Sequence, residues 1–118
     1  MARIFVTEDD PDVRSSIAEV LSQEGFDVQE FESAGETLRA LQAGARPCVV
    51  LMDLLMPEMN GQEFLDALRA DPRLAGIEVV MVTGARAAPP GVDVLRKPFE
   101  LEDLISTVKR YCSTTPVE

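Results

Sequence analysis

Five residues whose side chains can do chemistry share one kind of position in the chain. Glu8 and Asp9 follow the apolar run "RIFVT", Asp53 follows "CVVLM", Thr83 follows "EVVMV", and Lys97 comes just after "VDVL". Each run reads as a short strand. In open sheets of parallel strands, ligands bind outside the carboxyl ends of the strands, where the strand order reverses. If the first and third strands are neighbours, Glu8, Asp9 and Asp53 meet in one crevice. Two carboxylates about 5 Å apart repel by roughly 3 kcal/mol at an effective dielectric of about 20. Three such pairs cost on the order of 10 kcal/mol, comparable to the net stability of a domain. Such a cluster invites a hard divalent cation, and carboxylate, carbonyl and water oxygens suit Mg²⁺. Asp53 stands out further because its surroundings, "VVLMDLLMPEMNG", are otherwise largely apolar. An isolated buried carboxylate is costly unless a cation or hydrogen bonds offset it.

The elements that must position these residues alternate in type. "RIFVT" (3–7), "FDVQEF" (26–31), "CVVLM" (48–52), "EVVMV" (78–82) and "VDVL" (92–95) read as strands. "DPDVRSSIAEVLSQEG" reads as a helix capped by Asp10, with Pro11 at its first position, Gly25 as its stop, and Val13, Ile17, Val20 and Leu21 on one face. Ser33 and Glu36 form a capping-box pattern for a second helix running to about Ala43, with Leu38 and Leu41 inward. Phe64, Leu65 and Leu68 mark a third helix that Pro72 closes off, and Leu101, Leu104, Ile105 and Val108 mark a last one. Strand–helix alternation predicts an α/β fold with a parallel sheet covered on both faces. One junction breaks the pattern. Between the fourth and fifth strands lies little more than "GARAAPPG", whereas a parallel crossover usually takes a dozen or more residues. The helix at that crossover is therefore expected to be reduced or absent.

Composition bounds the rest. The chain has 118 residues, 46% of them hydrophobic, which suits one domain with its own core. A single folded unit over 1–112 and a frayed tail over 113–118 are expected. A net charge of −10 argues against direct binding of nucleic acid or an anionic membrane surface. There is no histidine, which excludes histidine-dependent triads and metal sites. No apolar run is long enough to span a membrane, and the N-terminal apolar segment is too short for a signal peptide. Cys48 and Cys112 read as reduced thiols of a cytoplasmic protein rather than a disulfide framework.

"IFVTEDDPDVR", "VVLMDLLMPEMNG", "MVTG" and "LRKPF", in that order, resemble the signature segments of response-regulator receiver domains, and the resemblance covers essentially the whole chain. It implies a three-layer, doubly wound sheet of five parallel strands in the order 2-1-3-4-5. It also implies a phosphoacceptor in a two-component phosphorelay, fed by a histidine kinase or a histidine phosphotransfer protein and switching a partner interaction. Position by position, Asp53 matches the phosphoacceptor. Glu8 and Asp9 match the acidic pair that holds Mg²⁺, Asp9 directly and Glu8 through water, and the backbone carbonyl of Leu55 matches a further ligand. Thr83 matches the hydroxyl that hydrogen-bonds the phosphoryl group, and Lys97 matches the lysine that pairs with it. Pro98 matches a proline that follows a cis bond. Such a protein is a signalling receiver rather than an enzyme, although it assists its own phosphorylation and dephosphorylation.

Other readings fit the same residues less well. A haloacid-dehalogenase-type phosphatase needs a second acid two residues after the nucleophile, and here that residue is Leu55. A flavodoxin-like flavin binder needs a phosphate-binding loop after the first strand, where this chain has "EDDPD". A receiver-like module that binds a partner without phosphorylation is the remaining alternative. The chain also departs from the receiver pattern: Val94 stands where an aromatic residue is usual three positions before the lysine, and the helix between the fourth and fifth strands is reduced; Leu55 and Ala85, two residues after Asp53 and Thr83, cannot hydrogen-bond a water through their side chains. No effector domain falls within these residues, so any DNA binding is expected elsewhere.

Overall fold

The computed structural model describes residues 3–84 and 89–112. Five strands alternate with helices: β1 (Arg3–Thr7), α1 (Pro11–Gln23), β2 (Asp27–Phe31), α2 (Ala34–Gln42), β3 (Val49–Met52), α3 (Gly61–Ala70), a 3₁₀ turn (Pro72–Leu74), β4 (Val79–Thr83), β5 (Asp93–Arg96) and α4 (Leu101–Tyr111). The strands form one sheet in the order β2-β1-β3-β4-β5, and every pairing is parallel. This is the α/β architecture and strand order that the sequence leads one to expect.

The period of two along each strand divides the core into two layers. Ile4, Val6, Val49, Leu51, Val80, Val82 and Leu95 face Ile17 and Leu21 of α1 and Leu104 and Val108 of α4. Phe5, Val50, Met52, Val79 and Met81 face Ala34 and Leu41 of α2 and Phe64, Leu65 and Leu68 of α3. β3 and β4 are buried throughout because both their faces are covered, which accounts for their continuously apolar sequences.

Local chemistry sets the helix ends. The Asp10 side chain accepts from the backbone N–H groups of Asp12 and Val13, so the third acid of "EDD" caps α1. Ser33 Oγ accepts from Glu36 N, while Glu36 reaches back one residue further than a regular capping box, to Glu32 N. The full reciprocal box is at α3: Asn60 Oδ1 accepts from Glu63 N and Glu63 Oε1 from Asn60 N, each at 2.9 Å. Pro72 closes α3 by opening the 3₁₀ turn.

One expectation needs correction. Cys48 and Cys112, read as separate reduced thiols, are joined in a disulfide with their Cα atoms 5.4 Å apart. Compartment reasoning is blind to topology: β3 begins and α4 ends at the same end of the sheet. Tying residues 64 apart contributes about 4 kcal/mol in the chain-entropy treatment. α4 begins at Leu101, within the helix that the sequence marks, and this residue is 56% exposed. It occupies the first helical position, and the inward stripe is Leu104, Thr107 and Val108.

Among the described residues no helix lies between β4 and β5, in agreement with the short crossover. On that side of the sheet a groove of about 560 Å³ opens over Leu65, Leu68, Val79 and Val92. The expectations for Ala85 and for a frayed tail over 113–118 fall outside the described residues. Among the described residues no helix is long and apolar enough to cross a membrane.

Candidate functional site: an acidic crevice at the strand ends

Because β1 and β3 are adjacent and in parallel register, with Thr7 opposite Met52, the residues that follow them emerge side by side. Carboxylate oxygens of Glu8, Asp9 and Asp53 lie within 4.8 Å of one another. Asp53 is fixed at both ends: its N–H donates to Thr7 O at 3.2 Å, and its Oδ1 accepts from Leu55 N at 3.1 Å. β5 brings Lys97 across from the far side. Lys97 Nζ lies 3.2 Å from Glu8 Oε1 and 3.4 Å from Asp53 Oδ2. Lys97 N donates to Thr83 O at 2.9 Å, which ties the end of β4 to the lysine. Thr83 itself is buried. The Lys97–Pro98 bond is cis, as the resemblance implied.

The electrostatics follow from the geometry. Glu8 is only 3% exposed. Burial, and then the neighbouring Asp53 charge, push its carboxyl above the usual glutamate range, against the opposing pull of the Asp10 N–H and Lys97. Burial disfavours the charge on Lys97, but hydrogen bonds and attraction from Glu8 and Asp53 outweigh it and raise the lysine above its ordinary value. Among the described residues, Lys97 Nζ pairs with two of the three acids, Glu8 and Asp53. The cluster is all oxygen, with no imidazole and no free thiol among the described residues. That donor set fits a small hard cation such as Mg²⁺ and does not suit a soft metal.

Some positioning residues escaped the sequence reading. Arg14 Nη1 donates to the Glu8 carbonyl at 2.9 Å and Nε reaches Glu30 at 3.2 Å, so an arginine on α1 holds the backbone of the acidic pair. Its only sequence signal is its place on the first turns of a helix that starts at the acidic loop. Thr7 and Thr37 share a hydroxyl hydrogen bond of 2.6 Å beneath the crevice. Leu55, two residues after Asp53, is 65% exposed at the rim. Gly61 opens α3 so close to β4 that a Cβ there would lie 2.9 Å from the Met81 side chain.

Comparison with known proteins agrees with this geometry. Residues 4–109 match the family described as the response regulator receiver domain. The chain is 34% identical over 115 residues to the DNA-binding response regulator MtrA of Mycolicibacterium smegmatis, covering 91% of this chain and 49% of MtrA. It is 32% identical over 118 residues to the response regulator receiver protein CpdR of Brucella abortus, covering 93% of this chain and 96% of CpdR. The chain therefore spans about half the length of MtrA but nearly all of CpdR. Among solved structures, the CheY-like receiver domain protein of Methanospirillum hungatei superposes with a TM-score of 0.83 at 30% identity, covering 93% of each chain. With this match over most of its length, a sheet in receiver order and an acidic crevice at the strand ends, the chain belongs to the response regulator receiver domain family.

Proposed function

We propose that Asp53 is the phosphoacceptor, taking a phosphoryl group from a phosphohistidine of a histidine kinase or phosphotransfer protein. The observation that carries this reading is Lys97 Nζ at 3.4 Å from Asp53 Oδ2, on a strand end where Glu8 and Asp9 also converge. A carboxylate is a competent nucleophile for this transfer. An Asp53 oxygen bonds to phosphorus, the phosphorus–nitrogen bond breaks, and the imidazole leaves. Lys97 offsets the charge that spreads over the phosphoryl oxygens, and Thr83 supplies a hydroxyl to one of them. Asp9, Asp53, the Leu55 carbonyl and Glu8 would hold Mg²⁺, which would supply the remaining charge neutralisation.

The same site returns the phosphoryl group to water, so the protein assists its own dephosphorylation without being an enzyme in metabolism. A cytoplasmic location and a receiving unit over residues 1–112 belong to the same proposal. MtrA is named as a DNA-binding regulator. With a charge of −10, a DNA-binding output here would come from residues outside this chain or from a partner.

Intact-mass measurement after incubation with acetyl phosphate and Mg²⁺ tests the assignment. One phosphate should add to the wild type and none to Asp53→Asn. Equal addition to both would refute it.

A further inference from the structure

The two cysteines stand apart from the acidic crevice and take no part in the chemistry described there. Cys48 immediately precedes β3, the strand that leads to Asp53. Cys112 caps α4, the helix that begins four residues after Lys97. Their bond therefore joins, at the base of the sheet, two elements whose opposite ends serve the crevice. The Cα separation of 5.4 Å lies well inside the range that a disulfide needs.

Both oxidation states fit this site. Cys112 is 1% exposed in the cluster with Leu104 and Val108, where a reduced thiol serves as a small apolar side chain. Cys48 Sγ lies 3.2 Å from the Arg3 carbonyl oxygen, an acceptor for a thiol proton. The end of α4 also has anchors that do not depend on the bridge. The Tyr111 hydroxyl donates to Asp93, Arg110 lies 3.8 Å from the same carboxylate, and Lys109 lies 3.6 Å from Glu24. Opening the bridge leaves the helix docked at fewer points. Cys48 is half-buried and Cys112 buried, so a reagent from solution meets Cys48 first.

We propose that Cys48 and Cys112 form a reversible thiol–disulfide site, closed by low-molecular-weight disulfides, that clasps the base of α4 to β3. The Cys48 thiolate attacks one sulfur of the small disulfide, whose S–S bond breaks and releases one thiolate. The Cys112 thiolate then attacks the Cys48 sulfur of the mixed disulfide and releases the second. Two protein thiols are oxidised, one small disulfide is reduced to two thiols, and the two protons end on those leaving groups. Closing the clasp restrains the helix that follows Lys97, so it sets how far that helix can respond to events in the crevice.

The test uses the whole chain, reduced and desalted, then incubated with oxidised glutathione. It is run on unphosphorylated protein, so its failure leaves the Asp53 assignment untouched. The expected product is monomeric, lighter by two hydrogens and free of retained glutathione. Its melting temperature should exceed that of the reduced chain by about 10 °C or more, and amide exchange in the last turn of α4 should be slower by about tenfold or more. Cys112→Ser should instead keep glutathione on Cys48, and Cys48→Ser should stay largely unmodified. If either variant fails to fold, the wild type compared in its two oxidation states still decides the matter. A lasting glutathione adduct or linked dimers from the wild type would overturn the proposal, as would ring closure that leaves α4 exchange unchanged.

Discussion

Lys97 Nζ lies 3.2 Å from Oε1 of Glu8, a carboxylate with 3% exposure at the floor of the crevice. Lys97 is shared with Asp53 at 3.4 Å, and among the described residues Asp9 has no ion pair, although the oxygens of all three acids lie within 4.8 Å of one another. A divalent cation that binds only the folded chain stabilises it by mass action. At about ten times its dissociation constant the gain is about 1.4 kcal/mol, a rise of roughly 5 °C for a domain of this size. Thermal melts with millimolar Mg²⁺ should show this rise, and Asp9→Asn should shrink it. An undiminished shift in that variant would remove Asp9 from the ligand set.

Glu8 also makes the metal-free chain sensitive to pH. Its folded pKa lies above the ordinary value of 4.5, chiefly through burial. A raised carboxyl favours folding while protonated, so its contribution is full below about pH 4.5 and is lost as pH rises through the folded value. In EDTA, Glu8→Gln should therefore gain stability relative to wild type between pH 5 and 8 and lose that advantage below pH 4.5. Urea denaturation across this range checks the sign. A constant difference at all pH values would mean that the titration of Glu8 does not contribute.

Much of this site can be read in the sequence, for a physical reason. Strands covered on both faces are continuously apolar, so the polar residues that end them stand out, and Glu8, Asp9, Asp53 and Lys97 were identifiable on that basis. That β1 and β3 are neighbours is not visible in any single segment and came only with the receiver resemblance. Contacts between distant residues were lost for the same reason. Cys48 and Cys112 are 64 residues apart and meet only because β3 starts where α4 ends. Arg14 looks like any helical arginine until the Glu8 carbonyl is placed beneath it. The Asn60–Glu63 box, by contrast, is local: it spans four residues and is legible in "NGQE".

Gly61 should resist enlargement. A Cβ at this position would stand 2.9 Å from both the sulfur and the terminal methyl of Met81 and 3.0 Å from Leu54. Met81 is fully buried, so its flexible end has little free space into which to move. Gly61→Ala should cost about 1–3 kcal/mol by overpacking, measured by chemical denaturation. A neutral or stabilising result would show that Met81 repacks freely.

The aspartyl phosphate should be long-lived. Attack by water needs a positioned water as well as neutralised charge. Leu55 stands at the rim, 65% exposed, and its N–H already binds Asp53 Oδ1. Its side chain can shield the site but cannot hydrogen-bond a water. Leu55→Asn should accelerate dephosphorylation about tenfold, which is about 1.4 kcal/mol of barrier. Phosphate release after removal of the phosphodonor measures it, and an unchanged rate would count against shielding.

Phosphorylation should be read out without an aromatic switch. A phosphoryl group adds about −1.5 to −2 charge at Asp53, drawing in Lys97 and the Thr83 hydroxyl. Lys97 N donates to Thr83 O at 2.9 Å, so a pull on one should be felt by the other. Val94, half-buried on the α3 side of β5, has no ring to swing and is stiff about its first torsion. Displacement at Thr83 should instead reach Gly84, where the crossover to β5 begins. Its far end is tied to α3 where Arg69 Nη2 donates to the Pro90 carbonyl at 3.1 Å. The response should be a shift of Gly84 and of residues 89–92 against α3 and the start of β5. Backbone NMR with and without beryllofluoride should show changes at Gly84, Gly91 and Val92, and Arg69→Ala should alter those at Gly91 and Val92 while leaving the changes around Asp53 intact. Shifts confined to Glu8, Asp9, Asp53 and Lys97 would show that the crossover does not carry the signal.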